Sequence, residues 1–346
     1  FSITVQNDAP SNHFNTVLYN GNNGTQSITS LNFSPDLVWL KPRSQADNHN
    51  LFDTIRGVQK QLISNNTSAE STQPNTLTSF NSDGFSIGPD GNINTSGQTY
   101  VGWAFKAGGA AVANTEGTTN SQVSVNNTLG FSIVEYTGPS ALNPGHGLDG
   151  APDLIITKGA SAVEDWYIYN SINGTGKYLS FTRNDQGSGT GTDGIQSNAN
   201  TFSTVNATSF TTQVTSASLT YIAYCFKSKP GFSKVGSYTG NGSASGPMVQ
   251  TGFEPAWLMI KRTDSTGNWW MLDNKRSPSN PRNNRLMPQL NNSELVYTPG
   301  NINFFANGFQ LAGTYDSINA SGGSYIYLAF AADGSTATPS LANSFA

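Results

Sequence analysis

The side chains able to do chemistry are few and scattered. Three histidines, His13, His49 and His146, lie far apart, none stands next to a cysteine or carboxylate motif, and no zinc pattern exists. No Gly-x-Ser-x-Gly nucleophile elbow occurs. Glu164 and Asp165 are adjacent, so on a strand they would point to opposite faces, which suits a solvated turn better than an acid/base pair. Gly189-Thr190-Gly191-Thr192-Asp193-Gly194 fits the spacing of a dinucleotide loop, but Ile195-Gln196-Ser197-Asn198 follows it where a helix would be needed. Asp90-Gly91-Asn92-Ile93-Asn94 alternates oxygen ligands as a calcium loop does, yet lacks the glycine and the later Glu, and reads as a plain turn. Sequons such as Asn23-Gly24-Thr25, Asn94-Thr95-Ser96 and Asn241-Gly242-Ser243 are what so Asn-, Ser- and Thr-rich a chain yields by chance. The expectation is a protein that is not an enzyme, with no catalytic residue, no cofactor and no metal.

Two arginines carry a different signal. Asp53-Thr54-Ile55-Arg56 and Asp273-Asn274-Lys275-Arg276 place an acid and an arginine at the same offset, where a third related stretch has Asn170 and Asn173. In so uncharged a chain each pair is predicted to hydrogen-bond within a turn and support the fold, with Arg56 and Arg276 kept as ligand-binding candidates. Trp270 joins them. It neighbours Trp269 and so occupies the opposite strand face, which makes it the tryptophan predicted to be exposed, where its ring could stack on a sugar or a neighbouring chain. The other tryptophans read as core: Trp257 aligns with Leu37 and Leu154, Trp166 with Trp269, and Trp39 with Ile156 and Met259.

The elements that position these residues come in threes. Pro35-Asp36-Leu37-Val38-Trp39-Leu40-Lys41, Pro152-Asp153-Leu154-Ile155-Ile156-Thr157-Lys158 and Pro255-Ala256-Trp257-Leu258-Met259-Ile260-Lys261 each open on proline, run apolar and close on lysine. Each predicts a buried strand whose lysine emerges into solvent. Before each stands an aromatic segment, Phe14 to Tyr19, Phe131 to Tyr136 or Phe232 to Tyr238, and after it a further strand, His49 to Asp53, Trp166 to Asn170 or Trp269 to Asp273. Each unit ends on Tyr-(Val/Ile)-x-x-x-Phe, at Tyr100 to Phe105, Tyr221 to Phe226 and Tyr325 to Phe330. The landmarks recur at domain length, beyond the ~20 to 50 residues of solenoid repeats, so they predict tandem copies of one fold. The divisions are a lead-in over 1–13, repeats over 14–108, 109–229 (with its linker) and 230–333, and a mobile or partner-bound tail over 334–346. A long surface loop is expected from Asn65 to Asn81, and Val123 and Val125 open the second repeat.

Composition fixes the class. Charged residues are 11% of the chain, Gly numbers 36, and Asn, Ser and Thr crowd the connections, while 19 Phe, 13 Tyr and 6 Trp demand a core. Helices should be rare and short. The fold class predicted is all-β, three tandem antiparallel β-sandwiches of jelly-roll or lectin-like type, each near the size that buries its own core. A net charge of -4 with scattered basic residues argues against nucleic acid, and no apolar run approaches the ~18 residues of a membrane span. Cys225, the single cysteine, reads as a small buried hydrophobe.

The runs Phe14 to Gly21, Asn32 to Lys41, Tyr221 to Phe226 and Gly236 to Ser243 resemble the tandem domains of tail-fibre-like virion proteins of tailed bacteriophages, marine ones above all. The resemblance covers Phe14 to about Ala332. It implies a structural protein of a virion appendage, located on the particle surface, partnered by other virion proteins and contacting host surface glycans. It supplies no catalytic residues. A homo-oligomer, taken as a trimer, is the expected assembly. A secreted bacterial glycan-binding array, a capsid decoration protein and a polysaccharide depolymerase are the alternatives.

Overall fold

The computed structural model describes residues 8–138, 142–182, 193–212 and 218–334. The all-β expectation holds, with 44% strand and 5% helix, and the sheets are antiparallel. In each repeat the same four strands lie side by side in one order: opening, closing, Pro-to-Lys, return. In repeat one these are Phe14–Asn20, Thr99–Phe105, Leu37–Pro42 and Asn50–Asp53. In repeat two they are Phe131–Gly138, Leu219–Phe226, Leu154–Gly159 and Trp166–Asn170, and in repeat three Ser233–Thr239, Ser324–Ala331, Pro255–Arg262 and Trp270–Asp273. The register repeats as well: Leu37 faces Phe105 and Asp53, Leu154 faces Phe226 and Asn170, and Trp257 faces Phe330 and Asp273. Repeats one and three each add a three-stranded sheet, Gln26–Ile28 with Gly84–Ile87 and Leu77–Asn81, and Met248–Gln250 with Gly308–Leu311 and Ile302–Phe305.

Burial explains why the Pro-to-Lys strands are apolar throughout. One face of repeat one's large sheet, with Val38, Leu40 and Ala104, packs on Leu77, Phe85 and Ile87 of its small sheet. Repeat three does the same, and in repeat two the covering residues, Leu142, Leu148, Phe202 and Phe210, come from connecting segments. The other face, with Leu37, Trp39, Trp103 and Phe105, enters a cluster shared by all the repeats. Each repeat therefore buries one core by itself and a second only with its neighbours. Strands covered on both faces lose the apolar/polar alternation of a half-exposed sheet. At the centre the closing phenylalanines meet, with ring centroids 6.1 Å apart for Phe105 and Phe226, 5.4 Å for Phe105 and Phe330, and 6.1 Å for Phe226 and Phe330. Edge-to-face packing of this kind adds ~0.5–1.5 kcal/mol per pair beyond area burial.

Polar contacts tie each repeat to both of the others. Trp103 Nε1 of repeat one donates to Asp273 Oδ2 of repeat three, Tyr224 of repeat two donates to Asp53 of repeat one, and Trp269 Nε1 of repeat three donates to the Ser180 carbonyl of repeat two. The Glu70, Ile195 and Glu294 amides, one in each repeat, donate at 2.7 Å to the Ala160, Thr263 and Arg43 carbonyls of the next, and this closed cycle of equivalent contacts is an approximate threefold arrangement within one chain.

Two short helices, Gly91–Asn94 and Asp316–Asn319, precede the closing strands of repeats one and three. Asp90 caps the first by accepting from the Asn92 amide at 2.9 Å, so this stretch is a capped helical turn. The final asparagines are buried staples: Asn94 Nδ2 donates to the Gly24 and Gly88 carbonyls, and Asn319 Nδ2 to those of Ser243 and Gly313. The loops they hold press closely, since a Cβ on Gly21 would stand 2.0 Å from the Thr95 carbonyl oxygen. Asn94 is fully buried, which removes its sequon from the surface.

Several expectations change. The stretch 65–81 is not one long loop: Ser71–Thr72 extends the large sheet and Leu77–Asn81 joins the small one. Val123 and Val125 do lie on a strand, Ser121–Asn126, but Val112–Asn114 precedes it and pairs with it in the same sheet, so it is not the first of repeat two; Cys225 is buried. The segment 1–7, the tail beyond 334 and most of the 189–194 glycine loop lie outside the described residues.

The largest correction concerns the lysines. Lys41, Lys158 and Lys261 do not emerge into solvent; all are fully buried. They share the inward face with Trp39, Ile156 and Met259, because side chains two apart share a face, and that face is covered. Each Nζ bends to the next residue's carbonyl, Pro42, Gly159 and Arg262 at 2.9, 2.7 and 2.7 Å; Lys41 also reaches Asn291 and Lys158 reaches Ala162. Burial lowers their pKa to about 8, 8 and 7. Between those values and the ordinary 10.5 the unfolded chain binds protons that the folded chain has released, so stability rises with pH by about 1.4 kcal/mol per unit per group. Above about pH 10 the buried tyrosines, raised by the same desolvation, reverse the trend. Thermal melting should rise from pH 7 to about 9.5, and Lys261→Met should flatten the slope; a profile that falls across this window would contradict the buried-cation account.

Candidate functional site

The Asp–Arg pairs expected from their offset are present, and each is the centre of a larger construction. Asp53 and Asp273 end the return strands of repeats one and three, and the turn that follows carries Arg56 and Arg276 back over the strand. Arg56 Nε donates to Asp53 Oδ2 at 2.6 Å, its backbone amide donates to Oδ1 at 2.9 Å, and its Nη groups donate to the Lys60 and Leu51 carbonyls. Arg276 repeats this pattern with Asp273 and with the carbonyls of Asn284 and Met271. Both guanidiniums are buried. Burial alone would lower the pKa of Arg56, and the Asp53 carboxylate, with Tyr224 and Glu70, more than offsets it.

Each arginine meets a second carboxylate from a later segment of its own repeat. Arg56 Nη1 lies 3.3 Å from Glu70 Oε2, and Arg276 Nη1 lies 3.0 Å from Glu294 Oε2. The glutamates sit on the boundary to the next repeat in the same way, the Glu70 amide donating to the Ala160 carbonyl and the Glu294 amide to that of Arg43, each at 2.7 Å. Beyond this the two boundaries differ. Arg43 extends its guanidinium onto Glu294, Nε to Oε2 at 3.0 Å and Nη2 to Oε1 at 2.8 Å. Ala160 has no such side chain, and beside it opens a cavity of about 260 Å³ lined by Arg56, Glu70, Glu135, Ser161 and Thr220 among others. Burial, followed by the charges of Asp53 and Glu70, raises the Glu135 pKa against the opposing pull of Arg56.

In repeat two the construction is neutral. The Asn173 amide donates to Asn170 Oδ1 at 2.9 Å, so the turn closes as in its relatives without either ion. At the closing-strand position from which Trp103 and Tyr224 donate to an aspartate, repeat three has the apolar, buried Leu328. Arg56 and Arg276 are therefore held inside the protein by fold contacts.

Trp270 is corrected outright. It does occupy the face opposite Trp269, but that face is the one its own repeat covers, and its ring is fully buried against Tyr297, Tyr315 and Arg285, whose guanidinium carbon stands 4.6 Å from the ring centroid. All 6 tryptophans are buried, so none offers an exposed platform for a sugar. The histidines are likewise engaged. His13 meets Asp8 at 2.6 Å and Asn126 at 2.8 Å, and His146 accepts from the Leu148 amide. His49 Nδ1 accepts from Trp39 Nε1 at 3.0 Å; burial, with Lys41 nearby, depresses its pKa well below the usual value and keeps that nitrogen free to accept. Asp165 accepts from the Thr182 hydroxyl at 3.0 Å. Among the described residues no three His, Cys, Asp or Glu side chains gather as metal ligands, and no helix is long and apolar enough to cross a membrane.

What sequence reasoning missed is the second carboxylate and its cap, because Arg43 and Glu294 are 251 residues apart. The available signal was that Arg43 and Ala160 both stand two places after the buried lysine.

Arg276→Ala strands Asp273 as an uncompensated buried charge and should cost about 3–5 kcal/mol in denaturant unfolding. The neutral double variant Asp273→Asn/Arg276→Asn, which copies repeat two, should lose less than the single change; an equal or greater loss would show that the charge balance at this turn is irrelevant. No match to the chain was found among curated proteins or solved structures. One family model runs across all three repeats in a single span, and the chain accordingly belongs to the family described as a domain of unknown function, DUF7483, matched over residues 9–333.

Proposed function

We propose that the chain is a structural protein of a tailed-phage virion appendage, a tail or surface fibre, that contacts host surface glycans by binding and not by catalysis. On this reading the repeats are three copies of one antiparallel sandwich of jelly-roll type. The observation that carries it is the use made of reactive side chains: among the described residues the histidines, Arg43, Arg56 and Arg276, and the carboxylates that meet them, are committed to joining strands and repeats. The ordered runs that resemble tail-fibre-like proteins, from Phe14 to about Ala332, give it its biological setting. With every tryptophan buried, glycan contact falls to the Asn-, Ser- and Thr-rich loops, whose amides and hydroxyls can exchange hydrogen bonds with sugar hydroxyls. The cyclic core also bears on assembly. A threefold arrangement closed within one chain does what three separate chains would otherwise do, so the isolated protein is expected to be a monomer that docks onto other virion proteins.

One observation favours a second reading. Glu70 and Glu135 line the same cavity, and Glu135 is raised in pKa while Glu70 stays paired to Arg56, a difference of environment that acid/base pairs use. A polysaccharide depolymerase would release reducing ends from host polysaccharide, and Glu135→Gln would abolish the release.

Antibody labelling of native particles, with light scattering and adsorption competition by the purified chain, tests the proposal. Label on an appendage, a monomeric mass and reduced adsorption are expected. Label on the head would make it a decoration protein, and a chain found free of any particle would make it a secreted glycan-binding array. Reducing-end release lost in Glu135→Gln would replace binding by hydrolysis.

A further inference from the structure

The two charged boundaries between repeats are built to one plan and completed differently. At the boundary of repeats three and one, the Glu294 carboxylate accepts from Arg276 Nη1, Arg43 Nε, Arg43 Nη2 and Asn284 Nδ2, at 3.0, 3.0, 2.8 and 3.1 Å. At the boundary of repeats one and two, the equivalent Glu70 side chain has, among the described residues, only Arg56 Nη1 at 3.3 Å and, more loosely, Lys60 Nζ at 3.6 Å, with Lys60 partly in solvent. The backbone underneath is the same, since each glutamate amide donates at 2.7 Å to the residue two places after a buried lysine. That residue is Arg43 in one case and Ala160 in the other. The cavity of about 260 Å³ next to Ala160 lies where a guanidinium lies at the other boundary.

Charge points the same way. The filled boundary balances Asp273 and Glu294 against Arg276 and Arg43. The open one sets Asp53, Glu70 and Glu135 against Arg56 and the half-exposed Lys60, and Glu135, which stands in register where repeat one has Leu18, has no hydrogen-bonded partner among the described residues. Arg56 itself is committed to Asp53 and two backbone carbonyls.

We infer that the cleft between repeats one and two is a binding site for a guanidinium group, which would lie against Glu70 and Glu135 as Arg43 lies against Glu294. The fork of a guanidinium matches a carboxylate in two parallel hydrogen bonds, which a rounded ammonium or a metal ion does not reproduce. The site does not depend on the virion reading.

The test is calorimetric titration of the full chain with agmatine, a small guanidinium compound, alongside n-butylamine and calcium chloride. Saturable agmatine binding is expected, weakened about tenfold or more in Glu70→Gln, the loss of a charged hydrogen bond, and abolished in Ala160→Arg, whose own side chain should fill the cleft and leave the melting temperature unchanged or higher. Glu135→Gln, on the facing wall, should weaken binding whether or not Ala160→Arg folds. Absence of saturable binding, equal affinity for n-butylamine or calcium, or agmatine binding unaffected by Glu70→Gln and Glu135→Gln would each overturn the inference.

Discussion

Phe105, Phe226 and Phe330 can touch only if three sheets turn the same face to a common centre, and most of the remaining structure answers that demand. A sheet covered by a smaller sheet or by loops on one side and by its neighbours on the other has no face left for water. Its strands must then be apolar at every position, its last inward residue must be accommodated inside, and any polar group it carries must find a partner within the protein. The Pro-to-Lys strands meet the first condition, the lysine bonds to carbonyls the second, and the Asp–Arg–Glu constructions the third for the charged groups, while Trp257 Nε1 and Asn170 Nδ2 stay without a hydrogen-bond partner among the described residues.

Those constructions show how charge is tolerated in an interior built mainly of aromatic rings. Asp53 and Asp273 each accept from an arginine of their own repeat and from a Tyr or Trp of the next, so the ion pair is also the joint between repeats. A buried pair offset by desolvation contributes little net stability, but it fixes which surfaces meet, because a misplaced neighbour would leave a carboxylate without its donor. Repeat two dispenses with the ions, keeping the turn through Asn170 and Asn173, and the closing strand of repeat three carries the apolar Leu328 where Trp103 and Tyr224 carry a donor.

The sequence made the repeated landmarks, their order along the chain and the Asp–Arg offset legible, since each is a local pattern copied from unit to unit. Burial on the second face was not legible. A strand buried on both sides and one buried on a single side near its end can carry the same run of Leu, Ile and Trp, and a terminal lysine looks solvated until its carbonyl partners are known. Trp270 was misjudged for that reason: alternation placed it correctly on the face opposite Trp269, and nothing local said that both faces were covered. The cap of Glu294 by Arg43 joins residues from opposite ends of the chain, a separation at which single-sequence patterns carry no information, although aligning Arg43 with Ala160 through the lysines would have exposed the difference.

Covalent linkage of the repeats has an evolutionary consequence. Three identical subunits around an axis must keep three identical junctions, so a substitution that improves one alters all. Tandem copies on one chain are held at high effective concentration and are free to diverge one at a time: an internal arginine seals one junction, a pair of asparagines neutralises a turn in another repeat, and an alanine leaves a third place open. Symmetry supplies the scaffold, and its local breaking is where selection can install something the ancestral repeat did not have.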